Sequence, residues 1–104
     1  MDKTTIDEVI VFLKQSLIES GIAVESIILF GSAQSGKLDD GSDIDLIIIS
    51  PDFSNLDIFE RAKLTMRPEI DTMRRFLIPM DIINLSPEEY KESNMRYFPC
   101  RIVA

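Results

Sequence analysis

Two aspartates and a glycine–serine pair are the residues of this 104-residue chain whose types and spacing best suit chemistry. Gly31 and Ser32 follow the apolar run 27–30, and Asp43 and Asp45 stand ten residues later at the head of a second apolar run. Side chains at i and i+2 of a strand project from one face with Cα atoms about 6.6 Å apart, so both carboxylates can grip one hard cation. Mg²⁺ is the expected ion, because proteins hold it through one or two carboxylates together with substrate phosphates.

The glycine–serine pair suits a phosphate. Gly31 has no Cβ, which allows a sharp turn and a close approach of the backbone to a ligand. Ser32 can cap a following helical turn while its hydroxyl and its backbone N–H face a phosphate oxygen. Lys37 lies in the same segment and, together with Arg61, Arg74 and Arg75, is a candidate to contact triphosphate oxygens or an acidic partner.

A third carboxylate, Asp81, opens the third apolar run, 80–85. Two metal ions, or one metal ion and a base, need such a group to act on an attacking hydroxyl and an α-phosphate. The first strand would end at Gly31, whereas the second and third would begin beside Asp43 and Asp81. Bringing all of these residues to one edge therefore requires the first strand to be antiparallel to the other two, and the sheet is expected to be mixed.

The chain resembles the minimal nucleotidyltransferase family of the DNA polymerase β-like superfamily. The matching signature is Gly-Ser-x10-Asp-x-Asp, and the segment 42–46 and the later Asp81 also agree with it. The resemblance implies an α/β fold of the α+β type, with a small mixed sheet packed with helices. It further implies transfer of a nucleotidyl group from ATP with Mg²⁺, two ions being expected. The residues implied for nucleotide binding are Gly31, Ser32, Lys37 and Ser42, and those for metal binding and catalysis are Asp43, Asp45 and Asp81.

Many members of this family are antitoxins that pair with a HEPN-type toxin, so the resemblance implies a protein partner whose hydroxyl group accepts AMP. Such members often carry Arg residues after the Gly-Ser pair, whereas this chain has Ala33, Gln34 and Ser35. That difference favours an alternative, a binding module that neutralises its partner by contact alone. Transfer to a small molecule, such as an aminoglycoside, is a second alternative that usually needs an additional domain to form the acceptor pocket.

A P-loop overlaps the same residues, because 31–37 satisfies the first seven positions of the Walker A pattern. Leu38 stands where a Ser or Thr hydroxyl would bind Mg²⁺, and 39–42 interrupts the helix that must hold the phosphates. The cluster 39–45 also fails as an EF-hand loop, since its glycine precedes Asp43 and no Glu occupies the twelfth position.

The composition is that of one small domain, 1–104. The hydrophobic content of 45% is ample for one core, and the single cysteine, Cys100, is consistent with a reducing cytoplasm. The absence of histidine removes Ser-His-Asp chemistry and most zinc sites. A net charge of −7 disfavours binding of long DNA or RNA. Neither a signal peptide nor an apolar run long enough to span a bilayer is visible, and a cytoplasmic location is expected.

Periodicity and cap residues predict three helices and three strands. The first helix is expected from the capping box at Thr5 to Gly21, and the last from Ser86, followed by Pro at the first helical position. The second is expected from about Leu56, with Pro68 breaking or kinking it into two pieces. The strands are expected at 26–30, 44–50 and after Pro79, the second being central and covered on both faces. The apolar tail 95–104 is expected to cover the core or dock a partner, and an exposed sheet edge allows a homodimer.

Overall fold

The protein is described here by a computed structural model, which covers residues 3–30, 44–94 and 100–104. Three helices, four strands and a short 3-10 turn at Pro51–Phe53 make up these ranges. In chain order the helices and strands are α1 (Lys3–Glu19), β1 (Ser26–Phe30), β2 (Ile44–Ile49), α2 (Ile58–Phe76), β3 (Met80–Leu85), α3 (Pro87–Glu92) and β4 (Cys100–Ile102).

The strands form one mixed sheet in the order β3-β2-β1-β4. β1 is antiparallel to both β2 and β4, and β2 is parallel to β3. The predicted mixed sheet, with its first strand antiparallel to the second and third, is therefore confirmed. This arrangement is unlike a P-loop, whose strand belongs to a parallel sheet.

The core lies mainly between the sheet and the helices α1 and α2. β2 is an inner strand, and Leu46, Ile47 and Ile48 are all buried, as expected of a strand that is covered on both faces. Residues at even positions of β2 belong to the main core, whereas Ile47 and Ile49 pack on the opposite face with Ile28. The main core is completed by Ile6, Val9, Ile10, Leu13, Leu17, Ile22, Ile27, Leu29, Phe53 and Ile78.

α1 begins at Lys3, so Thr5 lies inside the helix and the predicted helix start at Thr5 is wrong by two residues. The predicted apolar face is nevertheless the buried one, since Ile6, Val9, Ile10, Leu13 and Leu17 all belong to the core. Gly21 has φ of 88°, a left-handed conformation that glycine adopts without a steric penalty, and it follows the end of the helix.

α2 is one continuous helix of 19 residues, and the prediction that Pro68 divides it into two pieces is wrong. Its N-terminus is closed by a capping box, in which Asp57 accepts from the N–H of Glu60 at 2.8 Å and Glu60 accepts from the N–H of Asp57 at 3.0 Å. Leu77 closes the other end in a left-handed conformation, its N–H donating to the Met73 carbonyl at 2.8 Å. Pro68 removes a single N–H donor between these two caps, and the helix tolerates that loss.

The C-terminal residues form a strand that the sequence did not predict. β4 pairs with β1, and the N–H of Val103 donates to the Ile27 carbonyl at 2.8 Å. Val103 and Ala104 pack against the main core. In the ranges that the structure describes, no helix combines the length and the apolar character that a membrane crossing requires.

Candidate functional site

Asp45 and Asp81 lie side by side at one edge of the sheet. They are register partners in the parallel β2–β3 pair, and Phe30 is the partner of Asp45 in the antiparallel β1–β2 pair. Neighbouring strands are about 4.8 Å apart, so the two aspartates stand at about that separation and project from the same face. Asp45 is half-buried and Asp81 is exposed. The structure thus brings together two of the three predicted carboxylates.

Two backbone hydrogen bonds extend this register at the ends of the β2–β3 ladder. The N–H of Ile44 donates to the Pro79 carbonyl at 3.0 Å, and the N–H of Ser50 donates to the Leu85 carbonyl at 3.1 Å. They hold β2 to β3 at both ends of the parallel pair. A slip of one residue would turn Asp81 to the helix-covered face, because successive side chains of a strand alternate between faces.

The face that carries the carboxylates is apolar beneath them. Ile47 and Ile49 follow Asp45 on this face and are buried with Ile28, and Leu85 and Tyr90 pack against them. The two carboxylates therefore stand at the rim of a rigid apolar surface. Two like charges directly opposite each other on adjacent strands are destabilising. A divalent cation bound between them makes their electrostatic contribution favourable. The donor set, two carboxylates with one of them exposed, suits a hard cation that keeps water or phosphate oxygens as its other ligands.

Five of the predicted site residues, Gly31, Ser32, Lys37, Ser42 and Asp43, lie outside the described residues. Their roles stay predictions. Within the ranges 3–30, 44–94 and 100–104, no group of three or more Asp, Glu, Cys or His side chains is placed to hold a metal ion.

Two arginines that the sequence offered as triphosphate ligands have structural partners instead. Arg61 donates to the carbonyls of Leu56 and Asn84 at 3.0 and 2.9 Å and forms an ion pair with Glu89 at 2.7 Å. The Arg75 guanidinium lies over the rings of Phe12 and Phe76, 5.3 and 5.6 Å from their centroids. Arg61 therefore ties α2 to β3 and α3, and Arg75 ties α2 to α1.

A cavity of about 540 Å³ beside Arg61 was not predicted. Glu69 and Asn84 line it between α2 and β3, and burial raises the pKa of the Glu69 carboxyl above its usual value. The sequence signal for this cavity is a polar residue, Asn84, within the apolar run of β3. Asn84 lies three residues from Asp81, about 10 Å along the strand, and on the opposite face of the sheet. The cavity is therefore distinct from the carboxylate pair.

Comparison with known proteins gives a family for this fold. A family model described as a nucleotidyltransferase domain matches residues 6–102. A crystal structure of a candidate nucleotidyltransferase from Sulfolobus solfataricus is similar with a TM-score of 0.56 and 22% identity, over 98% of this chain and 87% of that chain. A second candidate nucleotidyltransferase is similar with a TM-score of 0.50 and 25% identity, over 86% of this chain and 91% of that chain.

The same fold is shared with a protein of another name. BolA1 from Arabidopsis thaliana is similar with a TM-score of 0.53 and 16% identity, over 74% of this chain and 89% of that chain. No curated protein sequence matches this chain significantly. Because one fold can carry several functions, the family match and the carboxylate geometry carry the functional argument rather than the fold alone.

Proposed function

The chain belongs to the nucleotidyltransferase domain family, and on that premise we propose that it transfers AMP from ATP to a hydroxyl group of a partner protein. Domains of this family act on a nucleoside triphosphate with a divalent metal ion. The observation that carries the proposal is the alignment of Asp45 with Asp81 at the edge where β2 and β3 begin. The ends of these strands leave Asp81 accessible to a ligand on the open face.

Asp43, Asp45 and Asp81 are the residues proposed to hold Mg²⁺, which when bound offsets the negative charge of the triphosphate. Gly31 and Ser32 orient the β- and γ-phosphates, with Lys37 and Ser42 completing the nucleotide site. The carboxylate oxygens of Asp45 and Asp81, on adjacent strands, suit such an ion. The resemblance implies two ions.

The proposed step conserves atoms and charge in a simple way. The oxygen of the acceptor hydroxyl forms a bond to the α-phosphorus while the bond from that phosphorus to the bridging oxygen breaks, and pyrophosphate leaves with the bonding electrons. The hydroxyl proton passes to a carboxylate, and Asp81, the exposed member of the described pair, is proposed either to take this proton or to complete the metal site. Fixed groups that stabilise the developing charge on the phosphoryl oxygens supply most of the rate.

The proposed acceptor is a Tyr or Ser hydroxyl of a HEPN-type partner, which makes this chain the antitoxin of a toxin–antitoxin pair in the cytoplasm. The resemblance motivates this partner. The net charge of −7 supports a protein acceptor over long nucleic acid, which attracts basic surfaces. A specific observation also supports the contact-only alternative, because Ala33, Gln34 and Ser35 replace the Arg residues that such antitoxins often carry.

Calorimetric titration of ATP, with and without Mg²⁺, tests the nucleotide site without knowledge of the acceptor. We expect Mg²⁺-dependent binding in the wild type that is lost in Asp45→Asn and in Asp81→Asn. Asp71→Asn is the matched control, since Asp71 makes an exposed ion pair with Arg67 on α2. Undiminished binding in both active-site variants would refute the assignment.

The acceptor is tested with ATP labelled at the α-phosphate and the purified partner. Label that enters the partner and is absent with γ-labelled ATP supports nucleotidyl transfer. The contact-only alternative is supported if Asp45→Asn and Asp81→Asn still neutralise the partner in cells while no label is transferred.

A further inference from the structure

The helix α2 presents its apolar side to solvent. The residues that it buries are Thr65, Pro68 and Thr72, two of which carry hydroxyl groups. Thr72 satisfies its own hydroxyl by donating to the Pro68 carbonyl at 2.7 Å. Two large apolar side chains lie on another side of the helix, where Phe59 and Met66 are 75% and 55% exposed, and Leu77, the cap residue that follows the helix, is 84% exposed. This is the reverse of a normal surface helix, whose apolar side faces the core.

Apolar side chains form a line along the helix: Phe59 and Met66 are exposed, Ile70 and Met73 are half-buried, and Lys63 stands between them. At spacings of four and three residues the line, which we call the α2 stripe, consists of Phe59, Lys63, Met66, Ile70 and Met73 in the helix, with the cap residue Leu77 just after it. Spacings that alternate between four and three define the contact seam of paired helices. The helical part of the stripe, from Phe59 to Met73, covers 15 residues and about 21 Å, which is longer than a scatter of single exposed side chains would give.

The stripe is complementary to itself when two copies of α2 run antiparallel about a two-fold axis near Pro68. Residue numbers that face each other then sum to 136, which places Met66 against Ile70 of the other copy and Phe59 near the C-terminal end of the other helix, where Leu77 follows it. Each contact occurs twice, because a two-fold interface uses the same patch on both subunits. The remaining layer sets Lys63 against Met73, where the long Lys stem can cover the apolar side chain while its ammonium reaches solvent.

Charges beside the stripe match in the same alignment. Glu60 and Arg74 are exposed and flank the stripe on one side, and the antiparallel alignment brings Glu60 of one copy next to Arg74 of the other. Lys63 comes next to Asp71 in the same way. Near the axis, Arg67 of one copy approaches Arg67 of the other copy, and the charge of each is offset by its ion pair with Asp71 at 3.2 Å. A parallel alignment would instead place Glu60 on Glu60 and Arg74 on Arg74.

From the apolar line and the matched charges, we propose that the α2 stripe binds a second copy of this chain by antiparallel α2–α2 packing. The interface is independent of the carboxylate pair, so the proposal stands or falls separately from the proposed activity. It also differs from a dimer formed by strand pairing at the sheet edge, which would use β3 or β4.

Sedimentation equilibrium over a wide range of protein concentration tests the proposal. We expect a species of twice the 11.8 kDa chain mass. Phe59→Glu should weaken dimerisation by about 30-fold or more, since charging an apolar anchor that the interface buries on both copies costs that much. The exposed position of Phe59 allows the variant to fold, and circular dichroism verifies this.

A charge reversal tests the alignment itself. Arg74→Glu should weaken the dimer by about tenfold, because each copy then sets a carboxylate beside Glu60 of the other, and adding Glu60→Gln should restore most of the affinity, because Gln removes that repulsion while it can still accept from the Asp57 N–H in the capping box. Ile102→Glu is the matched control, an exposed apolar residue on the edge strand β4, and it should leave dimerisation unchanged. A monomeric wild type, a dimer sensitive to Ile102→Glu, or a double variant that dimerises no more tightly than Arg74→Glu would overturn the proposal.

Discussion

Asp81→Asn should make the protein more stable when no ligand is bound and less stable when Mg²⁺ and ATP are present. Asp81 lies directly opposite Asp45 on the neighbouring strand. Two carboxylate charges about 5 Å apart repel by about 0.8 kcal/mol in a water-like dielectric. Like charges at directly opposite strand positions destabilise by roughly 0.2–1 kcal/mol. Asparagine keeps the shape of the side chain and removes this repulsion, so we expect a gain of about 0.5 kcal/mol.

Loss of ligand binding changes the stability of the variant in the opposite direction and by a larger amount. A ligand at one hundred times its dissociation constant stabilises the folded state by about 2.7 kcal/mol. A domain of this length shifts its Tm by about 4–8 °C for each kcal/mol. The variant should therefore melt about 2–4 °C higher than the wild type in EDTA, and it should lack most of a wild-type shift of about 10–20 °C with saturating Mg²⁺ and ATP.

Differential scanning fluorimetry with EDTA, with Mg²⁺ alone and with Mg²⁺ and ATP measures both effects in one experiment. Asp71→Asn is the control for loss of a carboxylate, and because its ion pair with Arg67 is exposed it should keep the full ligand shift. An Asp81→Asn variant that is less stable in EDTA would contradict the repulsion, and an undiminished ligand shift would contradict the metal site.

Three further predictions concern the framework around the site. Arg61→Met should cost about 2–4 kcal/mol in urea denaturation, because it breaks an ion pair with Glu89 and two hydrogen bonds from a largely buried guanidinium; a cost below about 1 kcal/mol would contradict that role. Burial raises the pKa of the Glu69 carboxyl above its usual value, so the folded protein loses stability as the pH rises through the folded-state pKa. Glu69→Gln should therefore be more stable than the wild type at pH 7 and should have no such advantage below the unfolded-state pKa, as urea midpoints at the two pH values would show. Asp57→Ala should cost about 1 kcal/mol through loss of the capping box with Glu60, and Asp57→Asn should cost less if the cap is responsible.

The first two strands and the relative directions of all three predicted strands could be predicted from the sequence, because apolar runs and turn residues indicated the same boundaries. Apolar runs bounded by Gly31 and Pro51 marked two strands, and the need to gather carboxylates at one edge gave their relative directions. The parallel direction of β2 and β3 follows from the same argument, whereas the register that sets Asp45 beside Asp81 was not predicted. Ser86 also marked the start of α3, where its side chain accepts from the N–H of Glu89 as the capping pattern requires.

Other elements depend on contacts that a local pattern does not contain. Pro68 is a helix breaker by propensity, yet the caps at both ends of α2 and its packing keep that helix continuous. The strand β4 has only three residues and acquires its structure by pairing with β1, which lies about 70 residues earlier in the chain. The roles of Arg61 and Arg75 likewise depend on carbonyls and rings from distant elements.

The placement of Asp81 on an edge strand reconciles the repulsion with a stable fold. Had Asp81 also lain on an inner strand, it would be covered about as much as the half-buried Asp45, and desolvation would add to the repulsion. β2 holds Asp45 rigidly, since the next residues of that strand, Leu46 and Ile47, are buried. β3 is an edge strand and leaves Asp81 exposed. The repulsion is then screened by water in the free protein, and the same exposure leaves the outer carboxylate accessible to a metal ion and phosphate. The buried strand β2 thus positions one carboxylate, and the edge strand β3 leaves the other accessible to a ligand.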